Sequence, residues 1–354
     1  MKSKSFLDFF PPPTFLTMPA AGLSVESDML RLVSLEQKHH VMAIKTVAEY
    51  KLDSGAIVAG DIINPNNIAS VLKTIRSEHG VRFLRLAMPE EKAYVYEAVV
   101  PMPETGDISD SVEFSLDQNI PLPPNETVFD FAVLDGPFLN NGVQSVRVVV
   151  SAYPREIVEI WTDLIKQADI TPLLLTTESQ AIANSLVAHG DTKTLILVHF
   201  LKDKTIVAIV SGGFILFSTT VPNDPANSEK ILASHDGEKI AESIELLAVR
   251  DEVKKVYSYW MSKERAKPQA ESRSIKSIIV TGHVGDMMDV SEYLGKHLGV
   301  SAYLGNVWQN VFSLDDFIPE IEFENSLYLS AAIGVALPRR SSYFSSSKVS
   351  RDSK

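Results

Sequence analysis

The order of predicted secondary-structure elements repeats once along this chain, and this duplication limits the fold more than any other feature. Apolar alternation and β-branched segments predict the strands, and apolar residues at helical spacing predict the helices. The predicted elements of the first half are strands at 22–25, 29–35, 41–50, 143–152 and 171–176 and helices at 155–168 and 178–189. Those of the second half are strands at 194–200 and 275–280, a hairpin at 205–221, and helices at 237–261, 289–298 and 326–337. The repeated order predicts two α/β domains of one design.

Residues 52–136 interrupt the first domain with a different pattern of predicted helices and strands. We interpret this segment as an α+β insert. Its predicted elements are helices at 66–79 and 109–119 and strands at 81–88, 93–100 and 128–134. The predicted organisation is a Pro-rich lead-in at 1–19, a first domain at 20–51 and 137–190, the insert at 52–136, a second domain at 191–338 with a helical part at about 223–274, and a disordered tail at 339–354.

Charge and composition exclude several classes of function. A net charge of −12 argues against binding to nucleic acid or directly to anionic lipid, since both need a basic face. The absence of cysteine excludes disulfides and thiolate metal sites. Segment 205–221 lacks charge, but Gly212-Gly213 at its centre predicts a hairpin rather than a membrane span. Asp8 and Pro11-Pro12-Pro13 interrupt the apolar start, so we expect no secretory signal.

Three segments carry a resemblance to a known family. They are Phe10-Pro11-Pro12-Pro13 leading into Gly22-Leu23-Ser24-Val25, the stretch 112–131 around Ile120-Pro121-Leu122-Pro123-Pro124, and the helix, strand and alanine-rich helix of 154–186. With these segments and the duplicated order, residues 10–338 resemble the PilM family of type IV pilus assembly proteins. The resemblance implies actin-like duplicated βββαβα domains, which are ribonuclease H-like, with an insert similar to the 1C subdomain of PilM and of the division protein FtsA.

The family resemblance also implies a location and partners. It implies a cytoplasmic scaffold, peripheral at the inner membrane, that binds the cytoplasmic tail of a PilN-like membrane protein and self-assembles into a ring or filament. It further implies ATP with Mg²⁺ in the interdomain cleft. Two alternatives are an FtsA-like division adaptor and an actin-fold kinase or ATPase. The polar composition of 339–354 counts against the first, because FtsA-like chains end in an amphipathic helix.

The expected place for the tail is a groove between the first domain and the insert, beside segment 112–131. The helix there carries Val112, Leu116 and Asn119 on one stripe and ends in the rigid turn Ile120-Pro121-Leu122-Pro123-Pro124. The acidic net charge favours a tail that carries Lys or Arg. The alternative is that the proline-rich turn is only a hinge of the lobe.

The two phosphate-binding turns depart from the superfamily pattern of one strand Asp and one turn Gly. In the first turn, Ser24 stands at the Asp position and Glu26 at the Gly position, with Ser27 as a further candidate contact. In the second, His199 and Leu201 occupy these positions. Glu26 would repel phosphate at close range. The altered loops therefore predict that ATP with Mg²⁺ is bound weakly or not at all, with no catalytic residue and no protein metal site.

Other polar residues of these turns have two interpretations each. Asp28 supplies a carboxylate to the site or stabilises its turn. Lys202 and Lys204 contact phosphate or are solvated lysines of a hairpin, and the solvated interpretation is preferred.

The adenosine side lies closer to the family pattern. Thr281, Gly282 and Gly285 follow a buried strand, where the family has Thr-Gly-Gly, although His283 replaces the second glycine. The resemblance places three further residues at the cleft: Glu252 and Lys255 beside the ribose, and Glu178 as a carboxylate near the cleft. Glu252 and Lys255 also suit a surface helix pair at i and i+3, and Glu178 suits a carboxylate favoured by a helix N-terminus.

Overall fold

The computed structural model describes residues 19–38, 41–223, 244–265, 273–282, 287–313, 315 and 317–338. Its strands are β1 Ala20–Val25, β2 Met29–Lys38, β3 Val41–Lys51, β4 Ile57–Val58, β5 Asp61–Ile62, β6 Phe83–Met88, β7 Tyr94–Pro101, β8 Thr127–Asn140, β9 Val143–Pro154, β10 Thr171–Thr177, β11 Thr194–Phe200, β12 Lys204–Ser211, β13 Phe214–Pro222, β14 Ile275–Gly282 and β15 Ser301–Leu304. Its α-helices are α1 Pro65–His79, α2 Ser109–Asn119, α3 Arg155–Gln167, α4 Glu178–Leu186, α5 Ile244–Arg265, α6 Met287–Leu298, α7 Phe323–Ser326 and α8 Ser330–Ala336. The lead-in at 1–18, the tail at 339–354 and the start of the helix predicted at 237 lie outside the described residues.

Two five-stranded sheets of the same topology confirm the duplication. The first has the order β10-β6-β1-β2-β3 and the second the order β15-β14-β11-β12-β13. In each sheet, three antiparallel strands joined by hairpins occupy one side and two parallel strands the other. The predicted hairpin at 205–221 is confirmed as β12 and β13, with Gly212 and Gly213 at positive φ in the turn that joins them. No helix among the described residues is long and apolar enough to cross a membrane.

Two strands lie in other sheets than the sequence predicts. β6 was assigned to the insert but lies between β1 and β10 at the centre of the first sheet, parallel to both. β9 was assigned to the first domain but pairs with β7 and β8. The assignment of β6 is wrong because parallel strands need a long crossover connection, here the one that contains α1, and the change of sequence pattern at residue 52 marks that crossover rather than a boundary. The assignment of β9 is wrong because its antiparallel partners, β7 and β8, are strands of the insert. The limits of the domains as folding units stay a prediction.

The inserted lobe is the three-stranded sheet β7-β9-β8 with α2 on one face. Val112 and Leu116 of α2 are fully buried against Val148 and Val150 of β9. The prediction that these two side chains form the wall of a peptide groove is therefore wrong, since they form the lobe's own core. On the other face, Glu97 ties the lobe to the second domain, as its carboxylate accepts hydrogen bonds of 2.7 and 2.8 Å from Arg273.

The last described helix, α8, packs on the first domain instead of closing the second. The helix predicted at 326–337 is divided into α7, a 3₁₀ turn at Leu327–Leu329 and α8. A Cβ on Gly334 would lie 1.7 Å from the carbonyl oxygen of Ala181, so only glycine allows α8 to approach α4 this closely. Arg85 of β6 donates hydrogen bonds to the carbonyls of Ala336 and Leu337 at 2.8 and 2.7 Å. These bonds satisfy acceptors that a helix C-terminus leaves free.

Smaller differences concern the ends of helices. α4 ends at Leu186, three residues before the predicted end, and α6 begins at Met287, two residues before the predicted start. α4 starts well defined, because Thr177 caps it by accepting a hydrogen bond from the backbone N–H of Gln180.

Candidate functional site

A cleft of about 480 Å³ opens where the β1–β2 turn of the first sheet faces the β11–β12 turn of the second. Its lining combines acidic and basic side chains with apolar ones from both sheets. The lining residues are Glu26, Asp28, Met29, Arg31, Lys51, Leu52, Ser54, Phe200, Leu201, Lys202 and Tyr328. The cleft therefore lies where the sequence places the phosphate-binding turns.

The first turn is closed on itself by an ion pair. The backbone N–H of Glu26 donates to the carbonyl of Met29 at 2.9 Å, which forms the turn. The Glu26 carboxylate, only 7% exposed, forms a salt bridge with Arg31. Arg31 also bonds Glu49 at 2.8 Å and stacks over the ring of Tyr328. The guanidinium is thus shared between two carboxylates, and its charge is largely balanced within the protein.

Ser24 and Ser27 do not reach the cleft in the described part of the chain. Ser24 is buried in β1, where it pairs across the ladder with Arg31, and Ser27 lies at the tip of the turn, partly exposed. The residues that line the cleft at this turn are Glu26 and Asp28. The contact predicted from the family pattern for the two serines stays a prediction.

The second turn reaches across to the first. Leu201 N–H donates to the carbonyl of Lys204 at 2.8 Å, and the ammonium of Lys202 lies 3.4 Å from the Asp28 carboxylate of the opposite turn. Both side chains of this bridge are 39% exposed, so solvent screens the pair and it contributes little to stability. Asp28 therefore does more than stabilise its own turn, because it bridges the two sheets.

Below the two turns lies a buried cluster of charged side chains that was not predicted from the sequence. The ammonium of Lys204, with a side chain 5% exposed, lies 2.7 Å from Glu91 and 2.9 Å from Glu178. Next to it, Glu90 accepts hydrogen bonds from the backbone N–H and the hydroxyl of Ser179 at 2.8 and 2.7 Å. The preferred interpretation of Lys204 as a solvated turn lysine is therefore wrong. Glu90 and Glu91 were missed, and their only signal is a pair of acids directly after a buried strand.

Burial and charge act against each other in this cluster. Burial raises the pKa of Glu178 to about 7, although the nearby Lys204 partly offsets this effect. Burial alone would lower the pKa of Lys204, but the carboxylates of Glu178 and Glu91 outweigh it and raise the pKa above its usual value. The ammonium therefore stays charged at neutral pH and is the fixed cation of the cluster.

His199 precedes the cleft residue Phe200 on β11 and is a buried, neutral imidazole. It is fully buried in β11, between Ile206 of β12 and Thr281 of β14 in the sheet. Burial, followed by the charges of Lys204 and Arg31, lowers the pKa of His199 to about 3. Neither ring nitrogen has a hydrogen-bond partner among the described residues. The side chain therefore neither replaces the missing carboxylate nor takes up a proton at physiological pH.

On the adenosine side, the predicted residues that the structure describes make contacts within the protein itself. The Thr281 hydroxyl donates to the carbonyl of Leu327 at 2.9 Å inside the protein. Gly282 has φ +101°, and a Cβ there would lie 2.0 Å from the carbonyl oxygen of Phe200, so this strand end requires glycine. Gly285 and His283 lie outside the described residues. Glu252 and Lys255 form a salt bridge of 3.1 Å with each other on α5, with Lys255 74% exposed, as a surface helix pair would.

Mg²⁺–ATP fits the described part of the cleft poorly. Both carboxylates that line it are bound to cations of the protein itself, Glu26 to Arg31 and Asp28 to Lys202, and the buried Glu178 below the turns is bound to Lys204. A metal ion would have to displace these cations, and phosphate would have to approach the Glu26 carboxylate. No group of three or more metal-binding side chains occurs within the described ranges.

Comparison with known proteins identifies the family. The family model for the type IV pilus assembly protein PilM matches residues 22–223 of this chain, which is more than half of its length. No curated protein matches. Among solved structures, a chain of the PilM–PilN type IV pilus biogenesis complex superposes with a TM-score of 0.69 at 19% identity, over 90% of this chain and 97% of that chain.

Two further structures show weaker likeness. The ethanolamine utilization protein EutJ from Carboxydothermus hydrogenoformans has a TM-score of 0.46 at 12% identity, covering 90% of this chain and 88% of its own. The cytoplasmic domain of EpsL, an inner membrane component of the type II secretion system of Vibrio cholerae, has a TM-score of 0.41 at 11% identity, covering 83% of this chain and 98% of its own. The predicted actin-like fold is confirmed by the duplicated sheets and the PilM likeness. On the family match, this chain belongs to the PilM family of type IV pilus assembly proteins.

Proposed function

We propose that this protein is a non-enzymatic scaffold of type IV pilus assembly that binds the cytoplasmic tail of a PilN-like inner-membrane protein. The observation that carries this proposal is the family match over 22–223 together with the likeness to a chain of the PilM–PilN complex. The protein would then lie at the cytoplasmic face of the inner membrane and be held there through its partner. A role in self-assembly into a ring or filament is part of the same proposal.

The junction between α2, β8 and α3 is the proposed place for the tail. Arg155, the first residue of α3, donates hydrogen bonds of 2.9 and 3.3 Å to the carbonyls of Asn125 and Thr127. These bonds hold the proline-rich turn of the lobe against the first domain, so the turn is a rigid part of the junction. A rigid wall loses little entropy when a peptide binds. The interpretation of the turn as a hinge stays open, but the Arg155 bonds favour the rigid one.

The surface beside this turn suits a basic, amphipathic tail. Phe114 of α2 is 70% exposed, although it is aromatic and lies within the segment that most resembles PilM. Exposed carboxylates accompany it on the two helices of the junction; they are Glu113, Asp117, Glu156 and Glu159. Since Val112 and Leu116 are buried, Phe114 is the apolar contact that α2 offers to a partner.

Calorimetry with a synthetic PilN-like tail peptide tests this assignment. We expect Phe114→Ser to weaken binding about tenfold or more, because an aromatic anchor at an interface often contributes over 1 kcal/mol. Ile318→Ser is the matched control, since Ile318 is 80% exposed in the second domain, away from α2 and α3. Equal weakening by both variants, or by neither, would contradict the proposed site. Deletion of 52–136 is unsuitable as a test, because it removes β6 from the centre of the first sheet.

We further propose that the protein does not turn over ATP. Support comes from the ion pairs of the carboxylates in and below the cleft, and from the neutral His199 at the position of a strand Asp, whose ring nitrogens have no hydrogen-bond partner among the described residues. Phosphoryl transfer needs a metal and positioned carboxylates, which the described cleft does not offer. Phosphate release from Mg²⁺–ATP should equal the rate without protein. A turnover that Lys204→Met or Glu26→Gln alters would refute the proposal.

A further inference from the structure

α4 is held by the second domain at both of its ends and along its side. At its start, Glu178 pairs with Lys204 of β12. Two residues on, the Gln180 side chain donates to the carbonyl of Gly213 at 2.9 Å and accepts from the N–H of Ile215 at 3.1 Å. At its end, Asn310 donates to the carbonyls of Asn184 and Val187 at 2.8 and 2.7 Å. A helix of the first domain is thus bonded to the second domain by its own side chains and backbone.

Lys204 joins this interface to a third part of the molecule. Its second carboxylate, Glu91, belongs to the 3₁₀ turn Glu90–Lys92, which connects β6 of the first sheet to β7 of the lobe. Side-chain exposure is 5% for Lys204, 16% for Glu91 and 1% for Glu178. Two carboxylates this close and this well buried repel each other strongly unless a cation lies between them. The ammonium therefore occupies the position that a bound cation would otherwise have to fill.

We propose that Lys204 is a built-in cation that ties the first domain, the second domain and the base of the lobe into one arrangement, in place of an exchangeable metal and nucleotide. The domains then keep one relative orientation whether or not Mg²⁺–ATP is present. The proposal concerns the internal geometry of the protein and does not depend on which partner binds the lobe. The exposed Asp28–Lys202 bridge across the cleft is a minor contribution to the same tie, because solvent screens it.

Distance measurement between two spin labels tests the proposal on the full chain. The protein lacks cysteine, so Lys73→Cys on α1 and Lys254→Cys on α5 place one label on an exposed site of each domain. We expect one narrow distance distribution, unchanged by millimolar Mg²⁺–ATP. Lys204→Met keeps most of the side-chain volume but removes the charge, and should broaden the distribution and lower the thermal midpoint by about 5 °C.

Lys202→Met is the matched control, because it removes a lysine two residues away on the same turn, where it is 39% exposed. It should leave the distribution narrow. A distance that shifts when Mg²⁺–ATP is added to the wild type would overturn the proposal, as would a Lys204→Met distribution identical to that of the wild type. If Lys204→Met does not fold, Glu91→Gln removes one of the two carboxylates that pair with Lys204 and keeps a polar group there. A Glu91→Gln distance distribution identical to that of the wild type would then overturn the proposal, as would the shift with Mg²⁺–ATP.

Discussion

The buried imidazole of His199 provides the sharpest prediction about stability. Replacement of His199 by leucine removes the imidazole, which can take up a proton. It leaves an apolar side chain among the apolar neighbours of β11. A buried polar group without a partner costs about 1–3 kcal/mol. Because both ring nitrogens lack a partner in the described part of the chain, we expect His199→Leu to be more stable than the wild type at neutral pH.

The pH dependence gives the size of the effect. The pKa of His199 falls from 6.5 in the unfolded chain to about 3 in the folded protein. Between these values the unfolded state binds a proton that the folded state refuses, so the stability contributed by the neutral ring is present above pH 6.5 and lost as the pH falls. From about pH 7.5 to about pH 5, the wild type should lose about 2 kcal/mol relative to His199→Leu.

Urea unfolding of both proteins at the two pH values measures this difference directly. Other groups titrate over the same range, but they are common to both proteins and cancel in the comparison. His297→Leu controls for the loss of a histidine as such, since His297 is exposed on α6. If the wild type and His199→Leu show the same change between the two pH values, His199 is either accessible or partnered in solution, and it is not a buried neutral imidazole.

Three further predictions concern the cleft and the lobe. The pKa of Glu178 is raised from 4.5 to about 7, so the stability that this group contributes is lost as the pH rises through that window. From pH 4.5 to above pH 7, the unfolding free energy of Glu178→Gln in urea should rise by up to about 3 kcal/mol relative to that of the wild type, and a difference that does not change with pH would contradict this. Gly282→Ala should cost about 3 kcal/mol or more because of its contact with Phe200, while Gly190→Ala, with open space around it, should cost about 1; equal losses of unfolding free energy would refute the close approach. Glu97→Gln should raise amide hydrogen exchange in the lobe, because it weakens the bond to the second domain, and unchanged exchange would argue against that tie.

Local sequence signals predicted most elements of the fold well. The hairpin of β12 and β13 follows from two glycines between β-branched strands, because a tight turn is decided by a few adjacent residues. α2 was predicted with both of its ends correct. The assignment of β6 and β9 to sheets failed for the opposite reason, since strand pairing joins residues that are far apart in the sequence.

At the candidate site, too, local features could be predicted from the sequence, whereas contacts between distant residues could not. The sequence alone determined that both turns lack the Asp and Gly of the superfamily pattern, because residue identity suffices for that statement. Only the tertiary structure decided whether Lys202 and Lys204 are exposed or buried, although they are two lysines of one turn with the same local surroundings. Lys202 stays 39% exposed, whereas Lys204 is buried between Glu91, which is 113 residues earlier in the chain, and Glu178. A charged lysine is rarely buried unless carboxylates pair with it, and that pairing depends on how distant segments pack.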